Sequence, residues 1–323
     1  MKNKLISNHL LGYAIAPLLI SCNSGSTNNN TLNGYIYLIT GTNTIQQCQV
    51  INNSVATGTC RNMSGSFVSP SAIAFNTAKT VGYIANKEND TLSICTLNSD
   101  KSFGDCNPAN VTLNKPTSIA IIDNSIYVAN NKAISQCTIE SNGNLTNCKG
   151  NPIASNLKSI TANGSNVLYG LNDNGTIYYY DLPTFNSNKI SYTESGSSNQ
   201  LNYNNTNNSL YIAAKNGALG LGGGIYNCNI NNDNTTSCIT SFTTLSIVLP
   251  LPYPASIYAL TTSGNMAYFI DYAYDYSSNS TATFINSCSV AADGEFNSCS
   301  ASKLSNNNLY DNGALALTYL SIQ

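Results

Sequence analysis

The chain has no tryptophan, a single histidine and few charged residues. The histidine, His9, lies in the first few residues, so the rest of the chain has none. That excludes Ser-His-Asp and Cys-His nucleophilic mechanisms and any histidine-ligated zinc, copper or haem site. Charged residues make up 9% of the sequence, against about 25% in an average soluble domain. The formal net charge is −2 and no run of Lys or Arg occurs, so the electrostatic footprint of a nucleic-acid binder is missing. No Cys-x-x-Cys spacing occurs either, which removes the usual pattern of a structural zinc site. Beyond the N-terminal stretch, no segment holds a helical period for more than about ten residues. From these absences we expect no catalytic set, no metal, no cofactor and no enzymatic activity.

What is present begins at the N-terminus. Lys2 and Lys4 precede an apolar run over residues 10–20, which is signal-peptide length and too short to cross a bilayer as a helix. Pro17 also interrupts it. The run ends Leu19-Ile20-Ser21-Cys22, which resembles the lipobox of bacterial lipoproteins. The resemblance implies a signal peptide over 1–21, lipid attachment at Cys22, and a membrane partnership through acyl chains, several of which anchor stably where one does not. Asn23, rather than aspartate, follows the cysteine, and by the same resemblance implies the outer membrane of a diderm, facing the periplasm or the cell surface. Residues 22–33, rich in Asn, Ser and Thr, read as a flexible tether with little to bury.

From residue 34 onward one phrase recurs every 42 to 57 residues, marked by Tyr37, Tyr83, Tyr127, Tyr169, Tyr211 and Tyr268. Each copy lays out as four short runs of β-branched and aromatic residues separated by Asn, Gly and Asp, which are strand and turn signals. The first run is built on Pro-x-[Ser/Ala]-Ile or a looser form, at 70–75, 116–122, 156–162, 200–203, 254–260 and 312–317. The second carries the tyrosine, the third has the form [Ile/Leu]-x-x-Cys-x-[Ile/Leu/Val], and the fourth is centred on a second cysteine. A unit of this size cannot bury its own apolar faces and must stack with its copies.

Pro116-Thr-Ser-Ile-Ala120 followed by Tyr127-Val-Ala-Asn130 looks like the YVTN and NHL group of bacterial propeller repeats. The expected fold is all-β: a single β-propeller over 34–323, six blades of four antiparallel strands. The chain starts mid-repeat and finishes with a first strand, so N- and C-terminal strands would share one blade and close the ring. A seventh blade is the alternative if residues 318–322 belong to a degenerate extra copy. Propeller motifs specify fold far better than function.

Cys22 aside, ten cysteines fall in neighbouring pairs: Cys48 with Cys60, Cys95 with Cys106, Cys137 with Cys148, Cys228 with Cys238, and Cys288 with Cys299. Each spacing fits a hairpin, so disulfides stapling the outer hairpin of five blades are the geometric expectation, in an oxidising compartment. The fourth copy lacks both members, with Tyr180 in the first cysteine's place.

Three departures from the repeat fall in connections that emerge on one face: the glycine-rich 214–224, the link 241–253, and 271–281. Loops on a rigid scaffold often carry binding. The third is read as a loop in which Tyr272, Tyr274 and Tyr276 alternate with Asp271 and Asp275, with Tyr253 nearby. Tyrosines give flat amphipathic contact area and aspartates accept hydrogen bonds from hydroxyls, which suits a protein, peptide or glycan. The bland alternative is that the tyrosines continue a strand. The expected function is partner binding at the envelope. The alternatives are a calcium-dependent propeller hydrolase or lyase, and a structural component of an envelope assembly.

Overall fold

The computed structural model describes residues 30–41, 43–190, 198–214, 224–230, 236–243, 256–275, 280–304 and 316–322, and every regular element among them is a strand. In chain order these are β1 (Leu32–Ile39), β2 (Ile45–Ile51), β3 (Ser54–Asn62), β4 (Pro70–Phe75), β5 (Val81–Asn86), β6 (Thr91–Leu97), β7 (Phe103–Pro108) and β8 (Ser118–Ile122). There follow β9 (Ser125–Asn130), β10 (Ala133–Ile139), β11 (Leu145–Pro152), β12 (Leu157–Ala162), β13 (Val167–Asn172), β14 (Ile177–Asp181), β15 (Asn186–Ile190) and β16 (Ser198–Asn204). The last are β17 (Ser209–Ala214), β18 (Gly224–Ile230), β19 (Thr236–Thr243), β20 (Ser256–Ser263), β21 (Met266–Asp275), β22 (Ser280–Val290), β23 (Phe296–Lys303) and β24 (Leu317–Ser321).

They form six four-stranded antiparallel sheets, the blades of a β-propeller. Blades two to six each use four consecutive strands, and blade one has the order β24-β1-β2-β3. The closing strand, expected from residue 312 onward, is Leu317–Ser321, with Tyr35 opposite Leu320 and Tyr37 opposite Thr318; residues 312–315 lie outside the described residues. This register buries Leu317 and Leu320 and leaves no extra copy at 318–321, so the ring has six blades. β1 starts at Leu32, two residues before the expected start of the propeller.

The core consists of six slabs, each shared by two adjacent blades. Ile36 and Leu38 pack with Ile270 and Ile285 across the junction of blades one and six, and the other five junctions are filled in the same way. Second strands are therefore covered on both faces. β5 and β17 are buried along their whole length, so they read as unbroken apolar runs rather than alternating ones. Fourth strands lie outermost, and β11 and β23 are largely exposed.

In three of the six blades the recurring tyrosine is a latch to the next blade. The Tyr37 hydroxyl donates to the Lys101 carbonyl at 2.5 Å, Tyr83 to Gly143 at 2.8 Å, and Tyr211 to Gly294 at 3.2 Å. Each acceptor lies in the third-to-fourth-strand turn of the next blade. Gly143 has φ +85°, and a Cβ there would sit 2.6 Å from Val81 Cγ2, so the turn needs a residue that accepts left-handed backbone and close approach. Burial pushes the Tyr83 and Tyr169 hydroxyls up to about 12 and raises Tyr37 and Tyr268 further.

All five expected disulfides are present, with Cα–Cα separations of 4.0 to 4.1 Å. In each, the third-strand cysteine is buried and its partner lies on the exposed rim strand. Blade four holds β15 without a staple.

Candidate functional site

The inner strand of every blade is a sheet edge facing the central channel, and its backbone groups need partners. Side chains of the preceding blade supply many of them. Ser118 Oγ accepts from Ile160 N at 3.0 Å, and Ser159 Oγ accepts from Leu201 N at 3.0 Å. Thr161 Oγ1 accepts from Tyr203 N at 3.0 Å, Gln200 Oε1 from Leu260 N at 2.9 Å, and Asn202 Oδ1 from Thr262 N at 3.0 Å. Thr318 Oγ1 donates to the Ile73 carbonyl at 2.8 Å, tying the closing strand to blade two. This explains the polar letters of the first-strand phrase. The sequence showed those letters, but the partners are backbone groups 42 to 60 residues away, or 245 for the closing strand, which no local pattern reveals.

Near their entry four of these strands carry a β-bulge, at Ser71, Lys158, Asn199 and Tyr258, and Thr117, just before β8, bonds Ala129 O through its N–H. A bulge re-aims its side chain out of the alternation, and all five line the channel. Ser71 Oγ and Thr117 Oγ1 donate to the Pro116 and Leu157 carbonyls of the following blade at 2.7 and 2.6 Å, and Asn199 Nδ2 donates to Ile257 O at 3.4 Å. The channel encloses about 570 Å³.

The stretch 271–281, expected as a loop, lies mostly in strand. β21 and β22 pair continuously to Asp275 opposite Ser280, because alternating Tyr, Ala and Thr residues suit an extended ladder. β20 stops pairing at Ser256 opposite Tyr272, and β23 stops at Lys303 opposite Phe284. Among the described residues, 273–275 and 280–282 thus pair only with each other. The second strands of blades two to five have six residues each, whereas β21 has ten. The three residues beyond Tyr272 project about 10 Å at about 3.3 Å per residue, on the face that carries the bulges.

Of the sequence-predicted residues, Tyr272 is half-buried opposite Thr283, and Tyr274 and Asp275 are placed by their backbones at the projecting end of β21. Tyr253 and Tyr276 lie outside the described residues, as do 215–223 and 244–255 of the other two insertions. Asp271 is 4% exposed and sits at the base of the projection. It occupies the place, three residues after the blade tyrosine, that holds Asn86, Asn130 and Asn172 in blades two to four. Asn86 Nδ2 donates to Ser93 Oγ at 2.9 Å and Asn130 Nδ2 to Ser135 Oγ at 3.1 Å. In blade six the corresponding third-strand residue is Asn286, which is fully buried. No donor among the described residues reaches Asp271 Oδ1. Burial pushes this carboxyl up to about 6, with Asn286 and the residue's own backbone N–H pulling the other way.

Among the described residues no three His, Cys, Asp or Glu side chains gather as a metal site. One ion pair is present among them, Arg61 with Asp100 at 2.8 Å, joining blades one and two on the surface. Hydrogen bonds from Ser102, with the Arg61 guanidinium, hold the Asp100 carboxyl down at about 2.

No family model matches the sequence, and none of the curated proteins does. Solved structures do match in fold. A chain of the nidogen/laminin complex is similar with a TM-score of 0.64 and 13% identity, over 88% of this chain and 97% of that one. A periplasmic gluconolactonase of Pseudomonas aeruginosa gives 0.55 and 10%, over 90% and 100%. A putative 6-phosphogluconolactonase of Bacteroides uniformis gives 0.53 and 13%, over 84% and 82%. These likenesses establish the propeller. They also correct the expectation that the chain is not an enzyme: two of the similar propellers are named as lactonases. A chain of this fold is not set apart from enzymes by lacking histidine, which removes only the mechanisms that require one.

Proposed function

We propose that the protein is a lipid-anchored propeller of the bacterial outer membrane that recognises a protein, peptide or glycan through the projecting hairpin of blade six. The observation that carries this reading is the ladder of residues 273–275 with 280–282, whose two outer edges are unpaired among the described strands. Such edges are templates for an added strand, while alternate side chains read the partner. Tyr274 and Asp275 lie in that segment, and Tyr276 follows it in sequence. The anchor is supported by cysteine parity: of eleven cysteines, ten are consumed in disulfides, leaving Cys22 for lipid. One fold neighbour comes from an assembly of proteins, the nidogen/laminin complex.

The test is a pull-down from envelope extract and a glycan array. It compares the oxidised chain with a variant in which residues 273–282 are replaced by a two-residue turn. A partner captured by the first and lost by the second supports the reading. A partner captured equally by both, or none by either, overturns it.

A further inference from the structure

The channel has an unbalanced chemistry. Among the described residues two lysines line it, Lys79 and Lys158, and no aspartate or glutamate does. Lys79 Nζ is engaged with Ser321 Oγ at 2.7 Å. Lys158 is different. It stands at the strand-entry position where Ser71, Thr117 and Asn199 bond the next blade's backbone, yet among the described residues no acceptor or carboxylate reaches its ammonium. Its stem is partly buried against the channel wall.

The neighbouring amides repeat the imbalance. Gln200 and Asn202 spend their carbonyl oxygens on Leu260 N and on Thr262 N and Oγ1, so their –NH₂ groups are left as donors on the channel side. In blade two the positions matching Ser159 and Thr161 are Ala72 and Ala74, which cannot cap the edge N–H groups of Ile119 and Ile121. The wall therefore offers donors in excess and one unmatched positive charge. A narrow, low-dielectric passage lined by one sign of charge concentrates the opposite ion. Its volume of about 570 Å³ falls within the range of roughly 300–1,000 Å³ typical of small-molecule sites.

We propose that the central channel binds a small polyhydroxylated carboxylate, with Lys158 pairing the carboxylate and the Gln200 and Asn202 amides donating to its oxygens. This site is separate from the projecting hairpin, and shortening that hairpin leaves it in place.

The experiment is titration calorimetry of the oxidised chain at low salt with D-glucuronate, and with glucose as its uncharged counterpart. Glucuronate should bind at least tenfold more tightly than glucose, and added chloride should weaken it. Lys158→Gln should lose tenfold or more for glucuronate. Asn202→Asp keeps an acceptor for Thr262 N, so it preserves the inter-blade bond while turning a donor into a negative charge. It should abolish glucuronate binding with a melting temperature close to that of the parent. Failure of glucuronate to bind, equal binding of glucose, or undiminished binding by folded Lys158→Gln or Asn202→Asp would overturn the proposal.

Discussion

Replacing Asp271 with asparagine should make this protein more stable at neutral pH. Asp271 stands where three other blades carry asparagine, and burial pushes its carboxyl from an ordinary 3.8 up to about 6. At about 1.4 kcal/mol for each tenfold change in proton affinity, that difference amounts to about 3 kcal/mol. The folded-state value lies above the unfolded one, so the stabilising contribution is complete below about pH 4 and is lost as pH rises through about 6. Above that, the folded chain holds inside blade six a carboxylate with one oxygen that no donor among the described residues reaches. An asparagine in its place would carry no charge at any pH. Urea unfolding of Asp271→Asn and its parent, both oxidised, at pH 4, 5, 6 and 7.5 reads the effect directly. The variant's advantage should grow by about 2.4 kcal/mol between pH 4 and 7.5, the rest of the full difference falling below pH 4. Any pH-independent packing difference cancels in that comparison, so the slope is the test. An advantage that stays flat across the range, or a carboxyl that titrates by NMR near 4, would refute the reasoning.

Other expectations follow from the junctions. Gly143→Ala should cost about 2–5 kcal/mol, from left-handed strain of about 1–2 kcal/mol and a clash with Val81 worth about 1–3; it should be visible as a lower melting temperature, and Val81→Ala in the same chain should recover part of it. Ser159→Ala removes the acceptor for Leu201 N and should cost about 1–3 kcal/mol, with hydrogen exchange at Leu201 accelerated more than at Leu260. Removing Cys95 and Cys106 together should cost about 2–3 kcal/mol and fray β7 first by exchange. In the parent, alkylation without reductant should modify none of the ten paired thiols.

The strand plan and cysteine pairs were readable because both are local. A tyrosine within an apolar run and two cysteines a hairpin apart leave their evidence inside one repeat. The roles of the same letters were not readable, since Tyr83 bonds Gly143 and Ser159 bonds Leu201 across blade boundaries. The exact register of the closing strand was unreadable for a related reason: it is set by β1, at the far end of the chain. Asp271 shows the opposite case. Its alignment with Asn86, Asn130 and Asn172 lies in the sequence, yet the tyrosines and aspartates after it read as a binding loop, where the alternative, a continued strand, is what the backbone adopts to Asp275.

Closure of blade one by β24 makes folding a matter of order. Five blades arise from contiguous sequence and can form and oxidise one after another, whereas β1 waits for a partner almost the whole chain away. Contacts at such separation form late. Until then the edge of β1 that receives β24 is open, and an equivalent β24 from a second molecule satisfies it with the same hydrogen bonds. Dilution favours the closed ring, and crowding of nascent chains favours exchanged pairs, so the proportion of strand-swapped dimer becomes a record of how concentrated the chains were when they folded.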